Sequence, residues 1–392
     1  MGHAMSFFDE ALADLRRRDQ LRTVSALEGL PEKYVLRNGK RCLNLSSNNY
    51  LGLANHPKVR RAAAEASLSL GTGAGGSRLL GGGLPIHASL EEEVLKMRPL
   101  GKALLFNTGF MANLGVIQAL TPVLGSVFSD KLNHASMVEG LRNNPGTFHR
   151  YRHGDVTHLE TLLEKNSNAS TPGLVCTETL FSMDGDFAPL AELLALQSRF
   201  GFFLYLDEAH STGCYPLLLN EALREGAEKG RIIVMGTFGK AFGGFGAYVA
   251  GAESVMDYLV NFARTFIFST ALPPGPVAAA TAALKIAKTE TWRSEKLISL
   301  SAQARELFRA KGLEIGSSQS HIVPVLVSSN SRAVELSELL FHAGYHAPPV
   351  RHPTVPEGTA RLRINLTCEM DFSDLIALGD ALSQAITEIK NA

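Results

Sequence analysis

An apolar, aromatic stretch, Phe202-Phe203-Leu204-Tyr205-Leu206, ends in Asp207-Glu208-Ala209-His210, an acid followed closely by a histidine. Lys240 lies 33 residues after Asp207, in Thr237-Phe238-Gly239-Lys240, where a second apolar run, Ile232–Met235, gives out. Such runs read as buried parallel strands, and reactive groups on open α/β sheets collect at the carboxyl ends of the strands. The pattern therefore brings a carboxylate, an imidazole and an amine to one crevice. Those groups suit pyridoxal 5'-phosphate, which needs an acid for its ring nitrogen, a donor for its ring oxygen and a lysine for the Schiff base.

Each of these residues also has a plainer explanation. A lysine after a strand is usually just solvated. Here Gly236 and Gly239 let backbone approach a ligand, and Phe238, Ala241 and Phe242 would lower the amine pKa by desolvation, as a nucleophile requires. Asp207 is costly to bury alone; a pyridinium nitrogen would offset that cost, whereas a helix N-cap is the ordinary alternative. His210 is a core histidine in the plain reading, but its spacing to Asp207 favours the site. Thr108-Gly109-Phe110-Met111 follows the apolar Ala103–Phe106 and opens a helical pattern, so free N–H groups and the helix dipole there favour a phosphate. His134 follows another strand with a flat ring able to stack on a cofactor, and Ser182, in Phe181-Ser182-Met183-Asp184-Gly185-Asp186, ends a further strand region. Arg361 and Arg363 alternate on one strand and so share a face, where arginine holds a carboxylate through two parallel hydrogen bonds. A surface strand with two arginines fits the same spacing.

Two other motifs compete. Asp207-Glu208-Ala209-His210 spells a helicase DEAH box, but such enzymes need a GxxxxGK[ST] loop on an earlier strand. The only similar segment, Gly236–Ala241, comes later, is too short and lacks the final hydroxyl. Gly71-Thr72-Gly73-Ala74-Gly75-Gly76 fits GxGxxG but follows a helical pattern rather than a strand, so the dinucleotide context fails. A flexible turn near a ligand is the better reading.

Composition narrows the class. With 45% hydrophobic and 19% charged residues among 392, the chain suits a large globular core rather than disorder. Net formal charge is zero, and the one basic cluster, Arg16-Arg17-Arg18 with Arg22, falls on a predicted helix, so neither nucleic acid nor a membrane surface is an expected partner. Cys42, Cys176, Cys214 and Cys368 are too scattered for a metal or redox pair, which fits a reducing compartment. No leader and no long apolar span are evident, Met1-Gly2-His3-Ala4 reads as a cloning remnant, and the expected address is cytoplasmic. No metal is expected.

Periodicity predicts an amphipathic helix over 6–20 and short extended pieces at Tyr34–Leu36 and Arg41–Leu45. Helical segments at 57–69, 87–97, 110–120, 135–143, 155–165, 189–199 and 252–262 then alternate with apolar runs at Ala103–Phe106, Val127–Ser129, Gly173–Thr177, Phe202–Leu206, Ile232–Met235 and Ala247–Ala250. Alternation of this kind implies an α/β domain with a mainly parallel sheet. Pro273-Pro274-Gly275-Pro276 punctuates its end; beyond it come long helical patterns to Lys311, a strand at His321–Val327, a helix at Arg332–Ala343, a strand at Arg361–Leu366 and a helix at Phe372–Ile389. The expected division is residues 1–47, 48–275 and 276–392, the last a smaller α+β domain.

Read together, five segments resemble the α-oxoamine synthases, pyridoxal phosphate enzymes of the aspartate aminotransferase fold, over about residues 7–390. They are Asn44-Leu45-Ser46-Ser47-Asn48-Asn49-Tyr50-Leu51-Gly52-Leu53, Ser182–Gly185, Asp207–Gly213, Thr237–Lys240 and Pro353-Thr354-Val355-Pro356. The resemblance implies fold type I with a seven-stranded sheet. It implies that Lys240 carries the cofactor, Asp207 pairs with the pyridinium nitrogen, His210 contacts the ring oxygen and His134 stacks on the ring. Gly109 and Phe110 would approach the phosphate, with Ser182 and Thr237 completing the shell. Arg22, Asn48, His134, Thr354 and Arg363 match substrate positions, and Ser269-Thr270 matches a segment that reaches the neighbouring subunit's phosphate, which implies a homodimer with shared sites. The run Pro353–Arg363 is most similar to the biotin-pathway branch, implying decarboxylative condensation of L-alanine with a pimeloyl thioester, on coenzyme A or a carrier protein. Alternatives are a relative using glycine or serine, such as a 2-amino-3-ketobutyrate ligase or a 5-aminolevulinate synthase, and a cofactor-free scaffold subunit, against which Lys240 speaks. One departure bears on the active-site entrance: Cys214-Tyr215-Pro216-Leu217-Leu218-Leu219-Asn220 stands where the family has G-x-x-G-x-x-G-R-G.

Overall fold

The computed structural model describes residues 2–142, 146–166, 171–215 and 229–391. Most of the 214–220 departure, from Pro216 onward, lies outside the described residues. The strands in chain order are β1 (Tyr34–Arg37), β2 (Lys40–Asn44), β3 (Lys102–Phe106), β4 (Val127–Asp130), β5 (Phe148–Tyr151), β6 (Leu174–Glu178), β7 (Phe203–Asp207), β8 (Ile232–Thr237), β9 (Ala247–Gly251), β10 (Ile322–Ser328), β11 (Tyr345–His346), β12 (Pro349–Val350) and β13 (Ala360–Asn365). They are divided between two compact units. The larger comprises Asn49–Ser182 and Phe187–Glu295, and the smaller comprises Met1–Asn48, Met183–Asp186 and Lys296–Ala392.

The larger unit is built on a seven-stranded sheet of order β3-β9-β8-β7-β6-β4-β5. Strands β4 through β8 pair in parallel, and β9 runs antiparallel to both β8 and β3. The exception follows from loop length. A parallel return needs a crossover of a dozen or more residues, and only the short segment 238–246 joins β8 to β9. That segment carries Lys240. The central strands β4, β6 and β8 are buried at every position, as their unbroken apolar runs require. Among the seven strands of this sheet, β5 is the one the hydrophobic pattern does not predict. Its residues, Phe-His-Arg-Tyr, sit at the sheet edge with only Tyr151 buried, so no apolar run marks it.

Helix limits follow their caps. Thr108 Oγ1 accepts the Met111 N–H at 3.1 Å and starts Gly109–Leu120. His134 Nδ1 accepts the Ser136 N–H at 3.3 Å and starts Ala135–Leu141; Arg142 is already in a turn, and the last predicted position, 143, lies outside the described residues. Pro274 does not end the sheet block as a breaker; it opens the helix Pro274–Thr289, where its missing N–H is harmless.

In the smaller unit β1 and β2 form a hairpin whose two-residue turn, Asn38-Gly39, has φ of 51° and 73°, the left-handed pair such turns demand. Strand β11 adds to β2 in parallel. A second sheet has the order β10-β13-β12, all antiparallel. The Met183–Asp186 turn packs against β10 so closely that a Cβ on Gly185 would stand 2.0 Å from the Ile322 carbonyl oxygen; with φ of 74°, glycine is obligatory there.

Arg98 and Glu208 are both fully buried in the larger unit. Arg98 Nε donates to Glu208 Oε2 at 2.8 Å and Nη2 donates to Oε1 at 2.9 Å, a two-pronged pair. Burial opposes the guanidinium charge, yet the Glu208 carboxylate more than offsets it and raises the Arg98 pKa above its ordinary value. Removing one partner leaves an uncompensated buried charge, which costs about 3–5 kcal/mol, while replacing both by apolar groups is often neutral. Glu208→Gln should therefore lower unfolding stability by that amount, and the pair Arg98→Met with Glu208→Leu should recover most of it. Denaturant unfolding of the three chains checks this; a double variant no more stable than Glu208→Gln would contradict it.

Candidate active site

At the carboxyl ends of β6, β7 and β8 the larger unit encloses a cavity of about 200 Å3. Asp207, His210, Lys240, His134, Thr237, Gly109 and Phe110 all line it, so seven positions singled out in the sequence converge. Asp207 is 4% exposed. Its Oδ1 accepts the Ala209 N–H at 2.8 Å and its Oδ2 accepts from Asn113 Nδ2 at 2.8 Å. The first bond closes a turn rather than capping a helix, since residues 209–214 are turn, and the second oxygen is held by a side chain from another element.

Both polar side-chain atoms of Asn113 are engaged. Its second amide hydrogen goes to Ser136 Oγ at 2.8 Å, and its Oδ1 accepts the Tyr205 hydroxyl at 2.6 Å. Ser136 Oγ in turn lies 2.7 Å from His134 Nδ1. Because His134 Nδ1 also accepts the Ser136 N–H, the ring proton belongs on Nε2. Partial burial and then the Lys240 charge push the His134 pKa down against the pull of Asp207, leaving a neutral ring. His210 is 7% exposed and bridges two groups: Tyr50 OH at 2.8 Å from Nδ1 and Lys240 Nζ at 2.7 Å from Nε2.

Thr237 braces the turn that carries Lys240. Its Oγ1 donates to the Gly246 carbonyl at 3.0 Å and accepts the Gly239 N–H at 3.1 Å. Gly109, at the start of its helix, leaves space against Met235, whose Cε would lie 3.5 Å from an added Cβ. Ser182 and Thr270 are not in the cavity wall. Ser182 is buried beyond the end of β6, and Thr270 is exposed, its carbonyl accepting from Asn107 Nδ2 at 2.9 Å.

The remaining predicted positions belong to the smaller unit. Arg22 Nη2 donates to Thr354 Oγ1 at 2.8 Å. Arg363 is half-buried, with its two terminal nitrogens 3.4 and 3.5 Å from Asn48 Oδ1. Arg361, two residues before Arg363 on β13, has different partners. It is 4% exposed and engaged with Asp184 Oδ1 at 2.7 Å and with the Met183 and Thr359 carbonyls, so it is structural.

Pyridoxal phosphate fits the donors of the larger unit. A buried carboxylate with a fixed orientation suits a ring N–H, His134 offers a neutral flat ring, Lys240 offers an amine, and the helix start at Gly109 offers N–H groups for a phosphate. Three residues of this constellation were not singled out from sequence. Asn113 is one of two polar amides, with Gln118, on a mostly apolar helix and lies four positions after Gly109, a signal that was available. Tyr50 lay within a recognised marker without a role, and Glu178, at the end of an apolar strand, carried the same signal as Asp207.

Comparison with known proteins places this geometry. Residues 40–382 match the family described as aminotransferase class I and II. An 8-amino-7-oxononanoate synthase of Geobacter sulfurreducens is 42% identical over 371 residues, spanning 93% of this chain and 94% of that one. A serine palmitoyltransferase variant from S. paucimobilis, solved with a bound PLP–myriocin aldimine, superposes with a TM-score of 0.90 at 28% identity, covering 99% of each chain. An 8-amino-7-oxononanoate synthase from Francisella tularensis superposes with a TM-score of 0.76 at 27% identity, over 89% of this chain and 99% of that one. The fold is thus that of the type I pyridoxal phosphate enzymes, and the chain belongs to the aminotransferase class I and II family.

Proposed function

We propose that this protein is a pyridoxal-phosphate-dependent acyltransferase that condenses L-alanine with a pimeloyl thioester, releasing 8-amino-7-oxononanoate, carbon dioxide and free thiol. One observation carries the chemistry: a buried, oriented Asp207 carboxylate and the Lys240 amine open into the same cavity. The names of the relatives supply the substrates. When bound, pyridoxal phosphate supplies an aldehyde for amine capture and an electron-withdrawing ring. In this reading Lys240 anchors that group and then moves the proton at the alanine Cα. Asp207, oriented by Asn113, keeps the ring nitrogen protonated. His134 covers the ring face and His210 holds its proton toward the ring oxygen. Gly109, Phe110 and Thr237 hold the cofactor, Ser182 completes the shell from behind the cavity wall, and Thr270 serves the site of a second subunit in a homodimer.

Arg363 holds the alanine carboxylate with Asn48, and Arg22 with Thr354 receives the acyl substrate. The four cysteines are buried thiols rather than disulfides, which fits a cytoplasmic enzyme. Among the described residues no helix is long and apolar enough to cross a membrane. Likeness to serine palmitoyltransferase supports a second reading, in which another amino acid and acyl chain are joined by the same chemistry.

Turnover with a panel of alanine, glycine and serine against pimeloyl, succinyl, acetyl and palmitoyl thioesters tests the assignment. Alanine with a pimeloyl thioester should lead; preference for serine with palmitoyl would move the protein to the second reading. Borohydride reduction and peptide mapping should find the pyridoxyl group on Lys240, and a label on another lysine would displace it from its role. Arg363→Lys replaces a planar fork by a point charge. It should weaken alanine binding by roughly 1.5–3 kcal/mol, the worth of a charge-assisted bond, with cofactor affinity unchanged. Because Arg361 is already committed to Asp184, unchanged alanine affinity would take the carboxylate away from this strand altogether.

A further inference from the structure

Glu178 lines the same cavity, and none of the roles above uses it. It ends β6 directly beside Asp207 in the strand register and is 3% exposed. Its Oε1 is buried without a partner, and the backbone N–H groups of His134 and Ser182 face the carboxyl. Those two turns follow different strands and hold two residues of the proposed cofactor shell. Lys240 is the only lysine or arginine among the described residues of the wall, and its Nζ is engaged with His210.

We propose that Glu178 is a positioning residue, a neutral carboxylic acid that clamps the His134 and Ser182 turns together and offers its O–H to the cofactor cavity. Two carboxylates in one desolvated cavity cannot both ionise cheaply, and only Asp207 has side-chain and backbone donors on both oxygens. Burial first, and the Asp207 charge next, push the Glu178 pKa well up, while Lys240 and the two N–H groups pull it down without reversing that. Keeping Glu178 neutral concentrates the negative charge of the cavity on Asp207. The inference rests on the assignment of this cavity to pyridoxal phosphate.

A glutamine mimics the neutral acid: its carbonyl accepts the two N–H groups and its amide donates in place of the O–H. Equilibrium dialysis of full-length holoenzyme gives the dissociation constant for pyridoxal phosphate. Glu178→Gln should keep it within about twofold, and Glu178→Ala should weaken it about tenfold or more, as loss of a buried hydrogen-bond partner requires. Wild type and Glu178→Gln should also share one pH dependence of affinity across the neutral range. Should Glu178→Ala fail to fold, Glu178→Asp, which shortens the clamp, should show the same loss. Wild-type affinity in Glu178→Ala, or a Glu178→Gln as weak as Glu178→Ala, would overturn the proposal. A wild-type protein that binds no pyridoxal phosphate would instead overturn the functional reading beneath it.

Discussion

One buried carboxylate, Asp207, organises the candidate site of the larger unit. Asp207 sits at the end of a strand whose other residues are apolar, where an unpartnered carboxylate would be prohibitively costly. The fold resolves this with two hydrogen bonds from different elements, one from the chain's own next turn and one from Asn113 on the helix Gly109–Leu120. Fixing Asn113 requires Tyr205 and Ser136, and Ser136 in turn orients His134. The residues that would grip a ring, flank its face and receive its phosphate are thereby tied to one ion.

Loop length imposes the second constraint. Because β9 returns beside β8 after so short a connection, the turn bearing Lys240 cannot wander as a long crossover would. Thr237 pins that turn at both ends, and the amine meets His210 within hydrogen-bonding range. An amine that must be displaced and must return benefits from a tether of this kind, since effective concentration falls as the tether lengthens.

Sequence pattern captured the buried strands and the residues at their ends, because an apolar run that stops at an acid, a histidine or a glycine-flanked lysine is visible in one dimension. It did not capture β5, where an edge position relaxes the demand for apolar residues. Nor could spacing distinguish Arg361 from Arg363. They alternate identically, and only the approach of the Met183–Asp186 turn commits one to Asp184. Glu178 and Asp207 are likewise identical in pattern. Their different donors, a three-dimensional matter, separate a charge from a neutral acid.

The smaller unit is assembled from three separate stretches of chain, Met1–Asn48, Met183–Asp186 and Lys296–Ala392. Strand β2 finds its parallel partner, β11, only at Tyr345, so on a ribosome the first hairpin emerges long before the strand that flanks it. The larger unit can begin to pack during synthesis, whereas the smaller one has to wait for nearly the whole chain. Contacts this distant in sequence slow folding and leave a sheet edge open in the interval. A nascent chain of this protein is therefore a natural client for chaperones, and circular permutation that joins the first segment to the last should shorten that exposed period.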